Sequence, residues 1–281
     1  MNNLKNIFNT TGSPLAIAVT SGKGGVGKTS VSVNLAAALR KLKRSVMLLD
    51  ADLGLANVDV LLGLKPRYNL THVIKGECAL DDVIIEGPER MLIVPAGSGI
   101  HEMADLGTLE QAGLINAFNE LKSQIDILII DTAAGINRSV LNFCQAAGEV
   151  LVVLSNDPAS LTDSYGLIKV LASRHGVKRF HVVTNRDENS ADGFLLYQRL
   201  VDATDRFLNI EINYLGSIPQ DKYMHQSHRR QRLLSQAYPQ CPAVHAFDEL
   251  ARRVSRWRAP TAPRGGMEFF FERLVSQTTA A

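Results

Sequence analysis

Only three of the 281 residues are cysteine, Cys78, Cys144 and Cys241, and no two of them form a CxxC pair. That spacing argues against a cysteine-held metal cluster and suits the reduced thiols of a cytoplasmic protein. No apolar run approaches the roughly 18 residues that a bilayer crossing needs. The first fourteen residues are polar and lack the apolar core of a secretory signal. Charge of one sign is also missing: the formal net charge is +2, so whole-chain electrostatics give no argument for nucleic acid, although a local basic patch remains open. Internal repeats are absent, and low-complexity sequence is confined to the polar ends. With 46% hydrophobic residues the chain has material for one large core.

Short apolar runs at 15–20, 45–49, 91–94, 125–130, 150–154, 180–184 and 214–218 read as strands. Most are apolar on both faces, the pattern of a parallel sheet covered by helices on both sides. Helical spacing falls between them at 29–41, 108–123, 138–147, 160–174, 193–208 and 242–257. The expected fold class is α/β, a doubly wound, mostly parallel sheet flanked by helices. Pro260, Pro263 and the pair Gly265-Gly266 then break the pattern before a last apolar stretch at 267–275. The expected organisation is a flexible segment 1–13, a P-loop domain 14–259, and a hinge with an amphipathic helix over 260–281.

The densest chemistry lies in Ser21-Gly22-Lys23-Gly24-Gly25-Val26-Gly27-Lys28-Thr29. A strand runs into Gly22-x-x-x-x-Gly27-Lys28-Thr29 and out into a helix, the context that makes this pattern a P-loop. Its glycines let successive backbone N–H groups face phosphate, and the helix N-terminus adds its positive dipole end. Lys28 is then the phosphate lysine, and Thr29 offers a hydroxyl to Mg²⁺. The nucleotide-binding run is Gly22, Lys23, Gly24, Gly25, Val26, Gly27, Lys28, Thr29 and Ser30. Asp50 and Asp52 stand where the second strand ends, beside the loop in this topology. Carboxylates repel phosphate, so they act through Mg²⁺ or water, with Asp52 orienting the attacking water and Asp50 in the metal's outer shell. Ile129-Ile130-Asp131 is a Walker B pattern whose aspartate holds Mg²⁺ or its water shell, and Gly135 lets the following loop approach the terminal phosphate closely. The expected metal set is Thr29, Asp50, Asp52 and Asp131.

The loop with its extra lysine, the Asp-x-Asp after the second strand and the Walker B aspartate together resemble the deviant Walker A ATPases of the MinD/ParA class. The stretch from Asp52-Leu53-Gly54 to Leu61-Leu62-Gly63, Asp131-Thr132-Ala133-Ala134-Gly135 and Glu268-Phe269-Phe270-Phe271-Glu272 resemble the flagellar-number regulators within it, FlhG or FleN. The resemblance implies slow hydrolysis of ATP with Mg²⁺ and a homodimer in the ATP state, in which Lys23 of each copy reaches the phosphates of the other. A cation given across an interface acts like an arginine finger, so Lys23, Lys28 and Asp52 form the expected catalytic set. It also implies that Asn185 and Arg186 read the base and that Pro219 and Asp221 close over it. Asp157 and Asp163 fall where relatives place dimer and partner contacts. The implied partner is a flagellar enhancer-binding transcription activator. An FlhF-type GTPase is a second candidate, although the pattern relatives use for it is not present in residues 2–8.

The implied location is cytoplasmic, with transient contact at the cell pole or inner membrane surface through the C-terminal helix. On that helix Met267, Phe270, Phe271, Leu274 and Val275 share a face. Its polar side carries Glu268, Glu272 and Arg273, which weakens attraction to anionic lipid, so docking of the helix against the protein's own body or the dimer is favoured over a reversible membrane or partner contact. A partition protein that binds DNA is an alternative, with His228, Arg229, Arg230 and Arg232 joining Arg252, Arg253, Arg256 and Arg258 in one basic surface. DNA binding is the less favoured reading, because charge runs on exposed helices are usually solvated faces. A metallocluster carrier of the same fold would need the paired cysteines that are missing.

Overall fold

The computed structural model describes residues 14–52, 57–95 and 125–257; the segment 1–13, the helix expected at 108–123, and the hinge and tail beyond 257 lie outside them. Chain order is β1 (Leu15–Ser21), α1 (Lys28–Lys41), β2 (Val46–Ala51), α2 (Val58–Leu62), α3 (Leu70–Ile74), α4 (Leu80–Val83), β3 (Ile85–Glu86) and β4 (Leu92–Val94). After the gap come β5 (Ile127–Ala134), α5 (Arg138–Ala146), β6 (Glu149–Ser155), α6 (Pro158–His175), β7 (Arg179–Asp187) and α7 (Ser190–Asp205). The described chain ends with β8 (Glu211–Pro219), α8 (Lys222–Arg229), α9 (Leu234–Ala237) and α10 (Pro242–Val254).

One sheet holds all eight strands in the order β3-β4-β2-β5-β1-β6-β7-β8. Every pairing is parallel except β3 with β4 at the edge. The expected doubly wound sheet is what forms, for the expected reason. Along β1, Leu15, Ile17 and Val19 face one core while Ala16 and Ala18 face the other, so no face of the central strand meets water. Under α1 and α10 the first core gathers Val31, Leu35, Leu39, Phe247 and Leu250. Under α5, α6 and α7 the second gathers Phe143, Leu167, Leu171, Leu196 and Leu200. Each fully buried aliphatic side chain contributes about 1.5–3 kcal/mol against an exposed one, so the two layers lock the sheet between them.

Strand β8 is longer than its apolar run suggested. It lies at an edge and is only partly buried, so polar residues alternate in its first half and hide it from a search for continuous apolar runs. Two-residue β3 and the short helices α2, α3, α4, α8 and α9 carry too few residues, or too little apolar periodicity, to register.

The topology places the site. From β1 the chain crosses through α1, on one face, toward β2; from β5 it crosses through α5, on the other face, to β6 on the far side of β1. Connections diverge there, and a doubly wound sheet opens a crevice at the C-terminal ends of such strands. The loop between β1 and α1 and the ends of β2 and β5 all meet at that crevice.

Candidate nucleotide site

The loop 22–27 has the backbone its glycines permit. Gly25 has φ +77° and Gly27 φ +96°, and a Cβ on Gly25 would meet nothing within 4 Å. These are left-handed conformations that side chains resist, and at Gly25 the backbone faces open space. Gly22 serves another purpose. A Cβ there would lie 2.1 Å from the backbone carbon of Asp163, so this glycine lets α6 pack directly on the loop.

Lys28 opens α1 and is buried, with its Nζ donating to Ser21 Oγ at 3.1 Å. Burial lowers its pKa, and the nearby carboxylates Asp131 and Asp52 offset part of that effect. Asp131 lies within β5, which runs on through Ala134. Its Oδ1 accepts from Ser32 Oγ at 2.9 Å, while Oδ2 is buried with no hydrogen-bond partner among the described residues. Burial pushes this carboxyl up to about 7; the neighbouring Asp50 adds to the rise, and the Thr29 and Ser32 hydroxyls and Lys28 pull against it. A buried carboxylate with an unused oxygen beside a hydroxyl offers the oxygen ligands of a hard cation. The residues present therefore fit Mg²⁺ held by Thr29 and Asp131 beneath a nucleotide's phosphates.

Asp50 pairs with Asp131 in the register of β2 and β5 and is pushed up to about 6, chiefly by burial. Its Oδ1 accepts the Asp52 amide at 3.1 Å, and its Oδ2 accepts the amides of Asn57 and Val58, also at 3.1 Å. These contacts make Asp50 an anchor that returns the chain into α2. Asp52 is half-buried at the mouth, its Oδ2 accepting from Asn57 Nδ2 at 3.3 Å. Gly135, at φ +91°, donates its amide to Ser21 O at 2.9 Å, tying the end of β5 to the loop.

Lys23 points away from this cluster. Its ammonium pairs with the carboxylate of Asp157, the residue that caps α6. Both side chains stay substantially exposed, at 38% and 41%. The two residues expected at dimer contacts are therefore neighbours in one chain, with Asp163 packing against Gly22 by its backbone.

On the base side, Asn185, Arg186, Pro219 and Asp221 come together around a cavity of about 310 Å³, joined by Gly27, Ser30, Met224, His225 and His228. Asn185 and Arg186 lie inside β7, which continues to Asp187. Asn185 Nδ2 donates to Val26 O at 2.8 Å, which fastens the phosphate loop to the base side. A Cβ at Gly27 would come within 2.4 Å of that nitrogen, so glycine is required there twice over. Arg186 adopts φ +64°, a left-handed turn inside a strand where the register to β8 shifts. Asp221 spends both carboxylate oxygens on backbone amides, Tyr223 N at 2.9 Å and Ala243 N at 3.2 Å. It caps α8 and ties α10 to the loop while lining the cavity beside Pro219.

Sequence reasoning named Ser21 only as the start of the loop, gave no role to Ser32, Met224 or His225, and read His228 only as part of a basic surface. The last three sit on α8, whose residues Lys222-Tyr223-Met224-His225-Gln226-Ser227-His228-Arg229 show little apolar periodicity; the one usable signal was the aspartate cap that precedes them. The basic surface proposed for DNA also divides. His228 lies at the nucleotide crevice against Ser30, whereas Arg253 donates to Leu215 O at 2.6 Å and Arg44 to Ser255 O at 3.0 Å at the other end of the sheet.

Comparison with known proteins agrees with this geometry. A family model described as an AAA domain matches residues 15–181. The antiactivator FleN of Pseudomonas aeruginosa is 51% identical over 259 residues, 92% of either chain. A flagellum site-determining protein, YlxH, of Helicobacter pylori is 32% identical, covering 97% of this chain and 94% of its own. In fold, the chain matches the septum site-determining protein MinD of Pyrococcus horikoshii, solved with Mg-ADP, at a TM-score of 0.69 and 24% identity over 86% of this chain and 96% of that one. The two converging lines, a P-loop with a second lysine at the switch point of a doubly wound sheet and these relatives along nearly the whole chain, assign it to one family: it is a MinD/ParA-class P-loop ATPase of the FleN/FlhG branch.

Proposed function

We propose that the protein restrains flagellar number or flagellar gene expression as an ATP-driven dimer, and that the ATP-bound dimer binds a flagellar enhancer-binding transcription activator. The observation that carries this reading is the placement of the two loop lysines. Lys28 is buried among the carboxylates of its own chain, while Lys23 is half-exposed at the rim. One lysine serves the phosphates in its own site, and the other, on leaving its intrachain partner Asp157, serves those of a second copy. Val60 at 60% exposure and Ile136 at 55% stand near this rim, on the elements that follow Asp52 and Gly135. Apolar side chains left in water around a charged crevice favour its burial against a partner.

In this reading Mg²⁺ and ATP bind together. The metal, when bound, neutralises phosphate charge. Thr29 and Asp131 hold it, Lys28 and the loop amides hold the phosphates, and Asp52 orients water at the mouth. Lys23 from the other copy completes the charge stabilisation, so hydrolysis waits on dimerisation. Phe194 and Leu195 near the start of α7 are also exposed, and they offer the activator an apolar face in either copy. The names of the curated relatives, an antiactivator and a flagellum site-determining protein, point the same way.

Light scattering with ATP and Mg²⁺, followed by capture of a purified flagellar activator, tests the proposal. The expected result is an ATP-dependent dimer for the wild type, a dimer that persists without turnover and retains the activator for Asp52→Ala, and a monomer that does neither for Lys23→Ala. A Lys23→Ala protein that dimerises and hydrolyses like the wild type would refute it.

A further inference from the structure

The cavity beside the phosphate loop contains a side chain that no motif accounts for. His228, on α8, has its Nε2 3.1 Å from Ser30 Oγ. Ser30 stands in the first turn of α1, where Val31 is the first amide to bond back within the helix, to Gly27 O at 2.9 Å. The amides of Lys28, Thr29 and Ser30 are therefore among the unsatisfied donors that face phosphate at a helix N-terminus. His228 is one hydrogen bond from that row, and it lines the same cavity as Asn185, Arg186 and Pro219. It thus lies between the phosphate end and the base end of the site.

We propose that His228 is a nucleotide-contact residue that meets the bound nucleotide near its ribose and first phosphate and takes up a proton from solvent as it does so. The proposal rests on the nucleotide reading of this crevice and deepens it. Its electrostatic logic is local. The charged and titratable groups facing His228 are His225 on its own helix, with ring centroids 6.5 Å apart, Arg186 from β7, and Asp221 across the cavity. Asp221 is committed to two backbone amides. Without nucleotide, burial and then the neighbouring His225 and Arg186 hold the imidazole below its ordinary pKa. A polyphosphate reverses the sign of the field and favours imidazolium. Nucleotide affinity therefore gains a component that strengthens as pH falls through the interval between the free and bound pKa values. Above the bound value that component vanishes. The neutral ring already hydrogen-bonds Ser30, so its positioning role survives at high pH while the charge does not.

Calorimetric titration of the full chain with Mg-ADP in two buffers of different ionisation enthalpy, at pH 6 and pH 8, reads this directly. The wild type's net proton count also includes the nucleotide and Asp131, so the informative quantity is the difference from His228→Gln, in which those contributions cancel. Wild type is expected to take up more protons than His228→Gln at pH 6. Its affinity advantage over the variant is expected to be larger at pH 6 than at pH 8, with about tenfold the ceiling set by a one-unit pKa rise, and to shrink toward none at pH 8. His225→Gln should keep most of the wild-type difference. Equal proton counts in wild type and His228→Gln, or an affinity loss of the same size at both pH values, overturns the proposal. Failure of the wild type itself to bind Mg-ADP would instead overturn the nucleotide reading, so the two failures are told apart.

Discussion

Asp131 in β5 and Glu149 at the start of β6 are both buried carboxylates of one sheet, yet burial prevails at the first and is overcome at the second. Asp131 is pushed up to about 7 and keeps an oxygen with no partner. Glu149, 4% exposed, is held below its ordinary range because Arg179 and His181 donate to it, the latter from Nε2 at 2.8 Å. Trp257 then closes that end, its ring stacked on His181 with centroids 3.9 Å apart. Desolvation is the largest influence on either carboxylate. What differs is whether the chain supplies the counter-charge. At the end of the sheet holding Glu149 it does, and the result is a finished structural ion pair. At the crevice it leaves the charge incompletely answered, which is the condition of a site that a cation completes.

The largest expected effect breaks the crevice half of that contrast. Lys28→Ala removes the buried cation that faces Asp131 and the phosphates together, and charge-assisted hydrogen bonds are worth about 1.5–3 kcal/mol each. Nucleotide affinity should fall by about 100-fold or more in a direct titration, with the fold intact by circular dichroism. Retention of affinity to within a few-fold would mean that the buried lysine is structural, like Glu149.

Glu149→Ala breaks the other half. It leaves His181 and Arg179 without their acceptor, and because Arg179 is half-exposed water takes over part of the loss. Destabilisation of about 2 kcal/mol is expected, below the 3–5 kcal/mol of a fully buried pair, read as a lower urea midpoint at unchanged slope. Mg-ADP affinity should stay at the wild-type value. A loss of nucleotide affinity here would show that the two ends of the sheet are coupled and that the contrast between them is not local.

How much of this was legible in the sequence follows the range of the interactions. The strand, loop and helix around Lys28 are set by neighbours within a dozen residues, so spacing and glycine placement were enough to read them. Both faces of β1 being apolar sufficed to read a covered parallel sheet. Long-range choices were not visible. That Lys23 pairs with a carboxylate 134 residues away, or that Asp221 caps α8 and ties down α10, depends on which groups the fold brings near, and the residue type alone does not say. Asp50 shows the same ambiguity: an aspartate at a strand end suits metal work or loop anchoring, and only the three amides pointing at it show the anchoring. His228 was hidden because a histidine in a polar helix has no period to betray which side it faces.

The smallest expected effect sharpens the contrast. Raised folded-state pKa values mean that the folded, nucleotide-free protein binds protons at Asp131 and Asp50 more tightly than the unfolded chain does. Their contribution to stability is therefore fully present below the unfolded value near 3.8 and is lost as pH rises through about 6 for Asp50 and about 7 for Asp131. Glu149 contributes with the opposite sign: its lowered pKa gives stability that is present above the unfolded value and lost in acid. In Asp131→Asn the uncompensated charge is gone and the Ser32 contact can be kept, so the variant should be more stable than the wild type at pH 8 by about 1 kcal/mol, roughly the worth of one pKa unit. At pH 5 the gap should narrow, because the folded wild-type carboxyl is then protonated, and it closes only below about 3.8, where the unfolded chain is protonated as well. Urea unfolding of both proteins without nucleotide at the two pH values measures this. In the same experiment Mg²⁺ should raise the wild-type midpoint in the presence of ADP and leave the variant nearly unmoved. A variant less stable than the wild type at pH 8 would mean that Asp131 is already neutralised within the folded chain, as Glu149 is, and that the crevice does not hold a charge for the metal to answer.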